Sequence, residues 1–360
     1  MIFLRSTLRE FTAVGIAVFL VLLVITFTTQ LIRFLGFAAG GGIPSDAVLI
    51  LLGFSALGYL SVLLSVTLFL SVLLSVTRAY RDSEMAVWHS SGLGLMAWFR
   101  PVLVFGAPIV VVVALLSLYL TPWAIGKSEQ YRHQLESRDD VSAVSPGVFK
   151  ESKNGERVFF VEKVSSDLSQ VANIFVNSIQ SGRQGVMVAK RGYTELNEKG
   201  DRYLVLIDGR RYEGQPGEAD YRVVRFERYS VRIEQNENKT FFPSQKSLST
   251  RQLLENPTAV NLSELTWRVG LPVSAMVLAC LAIPLSAVNP RTGRFFNVLV
   301  AVFVYMIYSN LISIFQAWVA KGSLNPLVGM WTVHIVMIVL LAFLLYRRIF
   351  GLRLSALLGR

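Results

Sequence analysis

The sequence predicts a polytopic α-helical membrane protein with six transmembrane helices and an all-β domain inserted between the third and the fourth. Three observations carry this. Of 360 residues, 53% are hydrophobic and only 16% are charged, where soluble domains carry about 25% charged residues. Six apolar runs, each near or above the ~20 residues that cross a bilayer, are joined by short polar connections with one exception. That exception, Trp123 to about Thr266, is dense in charge and holds only short apolar runs rich in Val, Ile, Phe and Tyr.

The first span is Phe11 to Leu35. Arg5 and Arg9 precede it and no small-residue cleavage site follows, so it reads as a retained membrane helix rather than a signal peptide. Phe37 to Asp46, with three glycines and Pro44, cannot continue it. The second span, Ala47 to Thr77, is longer than a crossing needs and so should tilt, kink or extend beyond the bilayer. Its two SVLLSVT blocks, Ser61 to Thr67 and Ser71 to Thr77, either supply small residues for close helix contacts or are simple leucine-rich repetition. Pro101 to Pro122 forms the third span, with Pro108 as a kink. Spans four, five and six are Leu265 to Val288, Phe295 to Ala320 and Leu327 to Tyr346, with Asn289 to Arg294 and Lys321 to Pro326 as turns. The domain boundaries follow: 1–122 for the first three spans, 123–265 for the β domain, 266–360 for the last three spans and the tail.

Within the insertion, Arg157 to Val164, Val171 to Ile179, Val186 to Lys190, Arg202 to Ile207 and Tyr221 to Ile233 read as strands. Asn154-Gly155, Glu198 to Gly200 and Asp208-Gly209 read as turns between them. Such spacing suggests an antiparallel sandwich or open barrel.

Between the second and third spans lies a polar, amphipathic insert, Arg78 to Arg100. Met85, Trp88, Leu95, Met96 and Phe99 recur at helical steps, Ser83 is placed to cap a short helix, and Gly92 and Gly94 to end it. The insert is either an ordinary amphipathic loop or a docking helix, at about 78–98, for a soluble partner.

The formal net charge of +11 does not point to nucleic acid. Between 123 and 266 the 21 Lys and Arg meet 20 Asp and Glu, so the excess belongs to the membrane half. There, eleven arginines (5, 9, 78, 81, 100, 291, 294, 347, 348, 353 and 360) fall on one side of the spans, against Arg33, Arg268 and Lys321 on the other. The positive-inside rule makes the first side cytoplasmic, with both termini, and puts the β domain outside. Arg33 and Lys321 then sit where spans one and five leave the outer surface. They are interfacial anchors, or a cationic pair for an anionic lipid headgroup.

No chemistry of catalysis is legible. Gly126-Lys127-Ser128 imitates the end of a phosphate-binding loop, but Thr121 stands where its first glycine belongs. His89, His133 and His334 are too scattered for a metal, and His334, within the last span, should pack rather than titrate. Cys280 lies in an apolar run and has no partner for a disulfide. No cofactor, metal or enzymatic activity is expected.

FLGFAAGGGIP after the first span, the S-E-x-x-x-x-H-x-x-G-L pattern from Ser83 to Leu93, and S-x-V-N-P-R-x-G-R from Ser286 to Arg294 resemble the LptF/LptG (YjgP/YjgQ) family of lipopolysaccharide-export permeases across essentially the whole chain. The G-x-I-P of Gly41 to Pro44 and the NPR-x-GR turn lie nearer the LptF branch. The resemblance implies a multi-pass inner-membrane subunit with a periplasmic β-jellyroll. The implied partners are LptG, two copies of the ATPase LptB, LptC and the LptA bridge, and the implied substrate is lipopolysaccharide. It further implies that Glu84, with Arg81, Trp88 and His89 around it, couples to the ATPase, and that Arg33 and Lys321 contact the lipid headgroup. Set against it, the residues alone leave open the permease of another lipid or lipoprotein exporter, or a membrane-anchored assembly scaffold.

Overall fold

The computed structural model describes residues 2–40, 43–142, 147, 149–151, 157–164, 170–180, 183–196, 202–214, 221–232, 243–286 and 294–350. The chain divides into two units, residues 1–131 with 243–360 and residues 132–242.

The first unit is helical. It comprises α1 (Ile2–Ala39), α2 (Ala47–Arg81), α3 (Glu84–Ser90), α4 (Phe99–Leu115), the start of α5 (Thr121–Ser142), α6 (Thr250–Glu255), α7 (Ala259–Ser286), α8 (Arg294–Ala320) and α9 (Pro326–Phe350). Six of its helical stretches are long and apolar enough to span a membrane, as the sequence predicts. The turn at 289–293 lies outside the described residues.

α7 is the central post, packed on α2, α4, α8 and α9. It allows this because Ala275, Ala279 and Ala282 are fully buried and let neighbouring backbones approach. Ser286 Oγ donates to the Leu73 carbonyl of α2 at 3.2 Å. The serines of the α2 repeats, Ser61, Ser65, Ser71 and Ser75, are buried too, which favours the close-contact reading over mere repetition. Ile16, Leu20 and Val24 on α1 and Val302, Phe303 and Met306 on α8 are exposed, as apolar side chains facing lipid would be.

The third span does not stop at Pro122. A π-helical turn, Leu116–Leu120, connects α4 to α5, and helix continues to Ser142. The wide turn accommodates the proline, which has no N–H to give the carbonyl four residues back. That carbonyl, on Leu118, takes the Thr250 hydroxyl at 2.5 Å instead. At the other end, α7 begins at Ala259 rather than 265. The composition changes at 123 and 266, but the strand-bearing unit is narrower than the interval between them.

The second unit carries β1 (Phe149–Glu151), β2 (Arg157–Val164), β3 (Gln170–Gln180), β4 (Arg183–Leu196), β5 (Arg202–Gly214) and β6 (Tyr221–Arg232). β2, β3 and β6 fall close to the predicted ranges, β4 and β5 run longer, and β1 is additional. All six pair with their sequence neighbours, antiparallel, in the order β1-β2-β3-β4-β5-β6. Among the described residues the strands pair as a meander, forming the inserted all-β domain that the sequence predicts. The predicted turns at 154–155 and 198–200 lie outside the described residues. Asp208-Gly209 is described, and it is not a turn but a crease within β5.

Val161, Ile174, Ala189, Gly209 and Phe226 stand opposite one another across five strands. Val171, Gly192, Leu206 and Tyr229 form a second row three residues along each strand. Three is odd, so regular alternation would put the two rows on opposite faces. They share one core, because Asn173 (φ 53) and Asp208 (φ 60) turn the alternation by one residue between them. A Cβ on Gly209 would lie 2.3 Å from the Phe226 ring and 2.7 Å from the Val188 carbonyl, so glycine is required there, and one on Gly192 would press the end of the Ile174 side chain at 2.5 Å.

Candidate functional site

The insert after α2 is built as a fastened loop. α2 ends on Arg78 and Arg81, Asp82 follows, and Ser83 reverses the chain in a left-handed conformation (φ 61). Ser83 therefore makes no side-chain cap, contrary to the sequence expectation, since a cap needs an extended backbone that aims the hydroxyl at the helix. α3 runs for seven residues. Gly92 (φ 86) then releases it, and the 3-10 turn Leu95–Trp98 leads into α4.

One side of α3 is apolar and held. Met85 is buried, and Phe3 of α1 meets the Trp88 ring edge-on at 4.9 Å and the Trp98 ring at 5.1 Å. Such pairs contribute about 0.5–1.5 kcal/mol each beyond their burial. Trp88 thus holds the insert to α1. Val87 and His89 of α3 are exposed, as are Arg81 at the end of α2 and Met96 beyond Gly92. His89 Nδ1 lies 2.6 Å from the Met85 carbonyl. A carbonyl only accepts, so Nδ1 is the donor in this contact.

Glu84 belongs to a charge network that the sequence did not reveal. Arg78 Nε and Nη2 reach the two Glu10 oxygens at 2.5 and 2.8 Å, and Nη1 and Nη2 reach those of Glu84 at 2.9 and 3.3 Å. Nη1 also lies 3.2 Å from Asp82. Arg81 Nε donates to Asp82 at 2.9 Å, and this guanidinium, aided by Arg78, holds the Asp82 carboxyl below its ordinary pKa. The structure thus gathers Arg81, Glu84, Trp88 and His89 in one insert and adds Glu10 and Arg78. Arg78 was visible in the sequence only as one of several arginines setting orientation. Glu10, an acid among the basic residues that precede the first span, was the available signal.

Arg33 is exposed near the end of α1, with its guanidinium 5.8 Å from the centre of the Phe37 ring. Lys321 is exposed just past α8. α1 packs chiefly on α2, and α8 on α7 and α9, so the two cations stand on differently supported helices. Among the described residues neither makes an ion pair.

A second network lies near the start of α7. Arg268 of α7, counted from sequence as one outer-side charge, is 2% exposed. Its Nε donates to Glu264 at 3.0 Å, Nη1 to the Thr250 hydroxyl at 3.1 Å, and Nη2 to the carbonyls of Gln245, Lys246 and Leu248 at 2.9–3.3 Å. The Ser117 hydroxyl donates to the Arg268 carbonyl at 3.0 Å. Glu129 accepts from the Ser244 N–H and hydroxyl at 3.2 and 2.5 Å. Together these fasten residues 243–255 to α7 and to the π-helical turn. The signal was an acid and an arginine four residues apart at the mouth of an apolar run. His334 is buried, with Nδ1 2.6 Å from the Tyr308 hydroxyl, consistent with a packed rather than a ligand histidine.

Six apolar helices, a polar insert strapped to two of them, and a strand-bearing unit between the third and fourth spans make up a polytopic integral-membrane protein. The chain belongs to the lipopolysaccharide export system permease LptF/LptG family, whose profile matches residues 5–347. It is 29% identical over 343 residues to the lipopolysaccharide export system permease protein LptF of Escherichia coli K12, covering 94% of this chain and 93% of that one. The LptF proteins of Escherichia coli O157:H7 and Shigella flexneri match to the same extent. It is a multi-pass inner-membrane protein and a permease subunit.

Proposed function

We propose that the chain is the LptF-type half of an ATP-driven exporter. It pairs with an LptG chain above two copies of the ATPase LptB, and works with LptC and the LptA bridge. Lipopolysaccharide is taken from the outer leaflet of the inner membrane and handed into the β unit. The positive-inside distribution supports cytoplasmic termini and a periplasmic β unit. Arg33 and Lys321, near the ends of α1 and α8 on that outer side, serve the phosphorylated headgroup.

The need for a motor follows from the substrate. Exposing a methylene to water costs ~0.8 kcal/mol, so a chain of about a dozen carbons costs on the order of 10 kcal/mol. Work must enter at one face and a sheltered apolar path must exist at the other. The observation that carries the proposal is the form of α3, which is tied to the bundle through Met85 and Trp88 while Val87 and His89, with Arg81 at the end of α2, stay exposed. That is what a docking helix requires.

Charge reversal at Glu84 tests it. Glu84→Arg is expected to insert normally yet to lose most of its ATPase on co-purification, and to lose lipid release with it. Wild-type recovery of the ATPase with Glu84→Arg would overturn the docking role.

A further inference from the structure

α3 is too short to hold itself in place. Helices shorter than about 12–15 residues are marginal in water, and this one has seven residues between a left-handed serine and a positive-φ glycine. A partner pushing on such a segment would swing it without moving the membrane helices. Two side-chain fasteners prevent this, and both end on α1. One is apolar, Phe3 against Trp88. The other is ionic, Glu10 through Arg78 to Glu84. Phe3 and Glu10 are separated by two helical turns, so they occupy one face of α1. Arg78, the link, stands on α2, so a single guanidinium joins three elements.

The residue types suit this task. Arginine presents donors in a rigid fork that can serve two carboxylates at once, which a lysine ammonium does not do with fixed geometry. Within the network two guanidiniums, Arg78 and Arg81, face three carboxylates, Glu10, Asp82 and Glu84. The surplus of negative charge leaves Glu84, whose side chain is 42% exposed, able to accept a partner's cation without giving up Arg78.

We propose that Glu10 and Arg78 are positioning residues for energy transfer: they tie the Glu84 end of α3 to α1 and α2, so that a displacement imposed on α3 moves both membrane helices. This deepens the docking role proposed for α3 and rests on it. Glu10 and Arg78 do not bind the ATPase themselves; they set how much of each ATPase stroke reaches the lipid.

The test uses the complete exporter reconstituted into phospholipid vesicles containing lipopolysaccharide. Three quantities are followed: ATPase recovered on co-purification, ATP hydrolysed, and lipopolysaccharide released per ATP. Glu10→Gln and Arg78→Gln are expected to keep the ATPase and to hydrolyse ATP within about twofold of wild type, while lipid released per ATP falls about tenfold, the scale of a lost charge-assisted hydrogen bond. Arg78→Lys, which preserves charge and guards against misfolding, should fall between. The Glu10→Gln/Arg78→Gln double variant should be no worse than either single, because the two act as one unit. Unchanged lipid release per ATP in Arg78→Lys and Glu10→Gln would overturn the proposal, as would a loss fully accounted for by lost ATPase. Failure of Glu84→Arg to weaken ATPase recovery would instead defeat the docking role, so the two failures are distinguishable.

Discussion

The two arginine networks at the ends of the helical unit are opposites. Arg268 is 2% exposed and every one of its nitrogens finds an acceptor, only one of them a carboxylate. Arg78 has a side chain 36% exposed and is contacted by three carboxylates, more charge than it can neutralise. A buried, saturated arginine has one arrangement available, because any movement strands a charge or a carbonyl away from water. A half-exposed arginine among surplus acids fixes the elements it joins but contributes less to stability, since water screens each of its contacts. The first is therefore a buried joint that holds the fold and the second a surface tie that holds an orientation. Arg33 and Lys321 form a third kind, cations without an ion-pair partner among the described residues.

The contrast breaks most readily at Arg268. Arg268→Met should leave Glu264 buried without its partner and three carbonyls without a donor, costing about 3–5 kcal/mol. Thermal unfolding of the detergent-solubilised protein should show a fall of several degrees, with Glu264→Gln milder. Arg78→Gln should move the midpoint far less, as an exposed pair contributes only about 0–1 kcal/mol. Equal shifts at the two arginines would erase the distinction.

How far the sequence discloses these sites depends on the range of the forces involved. The six spans are legible because hydrophobic length is a property of contiguous residues, and the insert because its apolar positions recur at helical steps. Both networks escape, because Glu10 and Arg78 meet across 68 residues and Arg268 meets a strap of carbonyls that have no sequence signature. The same limit explains Pro122 and Asp208-Gly209. Each is a sound local signal for a break, and each is absorbed, the first by a π-helical turn and a threonine hydroxyl from a distant segment, the second by a crease that the whole sheet shares. Ser83 misleads in the reverse sense. The residue type suits a cap, but the chain must turn at this position, and the left-handed backbone that turns it withdraws the hydroxyl.

The unpaired cations sharpen the comparison next. If Arg33 and Lys321 await an anionic headgroup, photocrosslinking of lipopolysaccharide at neighbouring positions should fall about fivefold to tenfold in Arg33→Glu and Lys321→Glu, the loss of roughly 1 kcal/mol at a partly exposed charged contact. ATPase recovery should be unaffected. Crosslinking that is indifferent to charge reversal would return both to the role of interfacial anchors.

The smallest effect lies at Asp82, on the rim of the Arg78 network. The hydrogen bond from Arg81 is the main reason its carboxyl sits below the ordinary value, with Arg78 adding to it. A depressed carboxyl pKa means that the folded chain holds this proton less tightly than the unfolded chain does. The pair therefore contributes at pH values above the ordinary carboxylate range, and its contribution is lost as the pH falls through the folded value, below about pH 4. Asp82→Asn has no such proton to bind. Its melting midpoint, followed through tryptophan fluorescence, should lie slightly below wild type at neutral pH and meet it as the solution is acidified. Since the Asp82 side chain is open to solvent, the gap should also narrow when salt is raised at neutral pH. A gap that survived both acid and salt would assign Asp82 a packing or backbone role and remove it from the electrostatic link that Arg78 anchors.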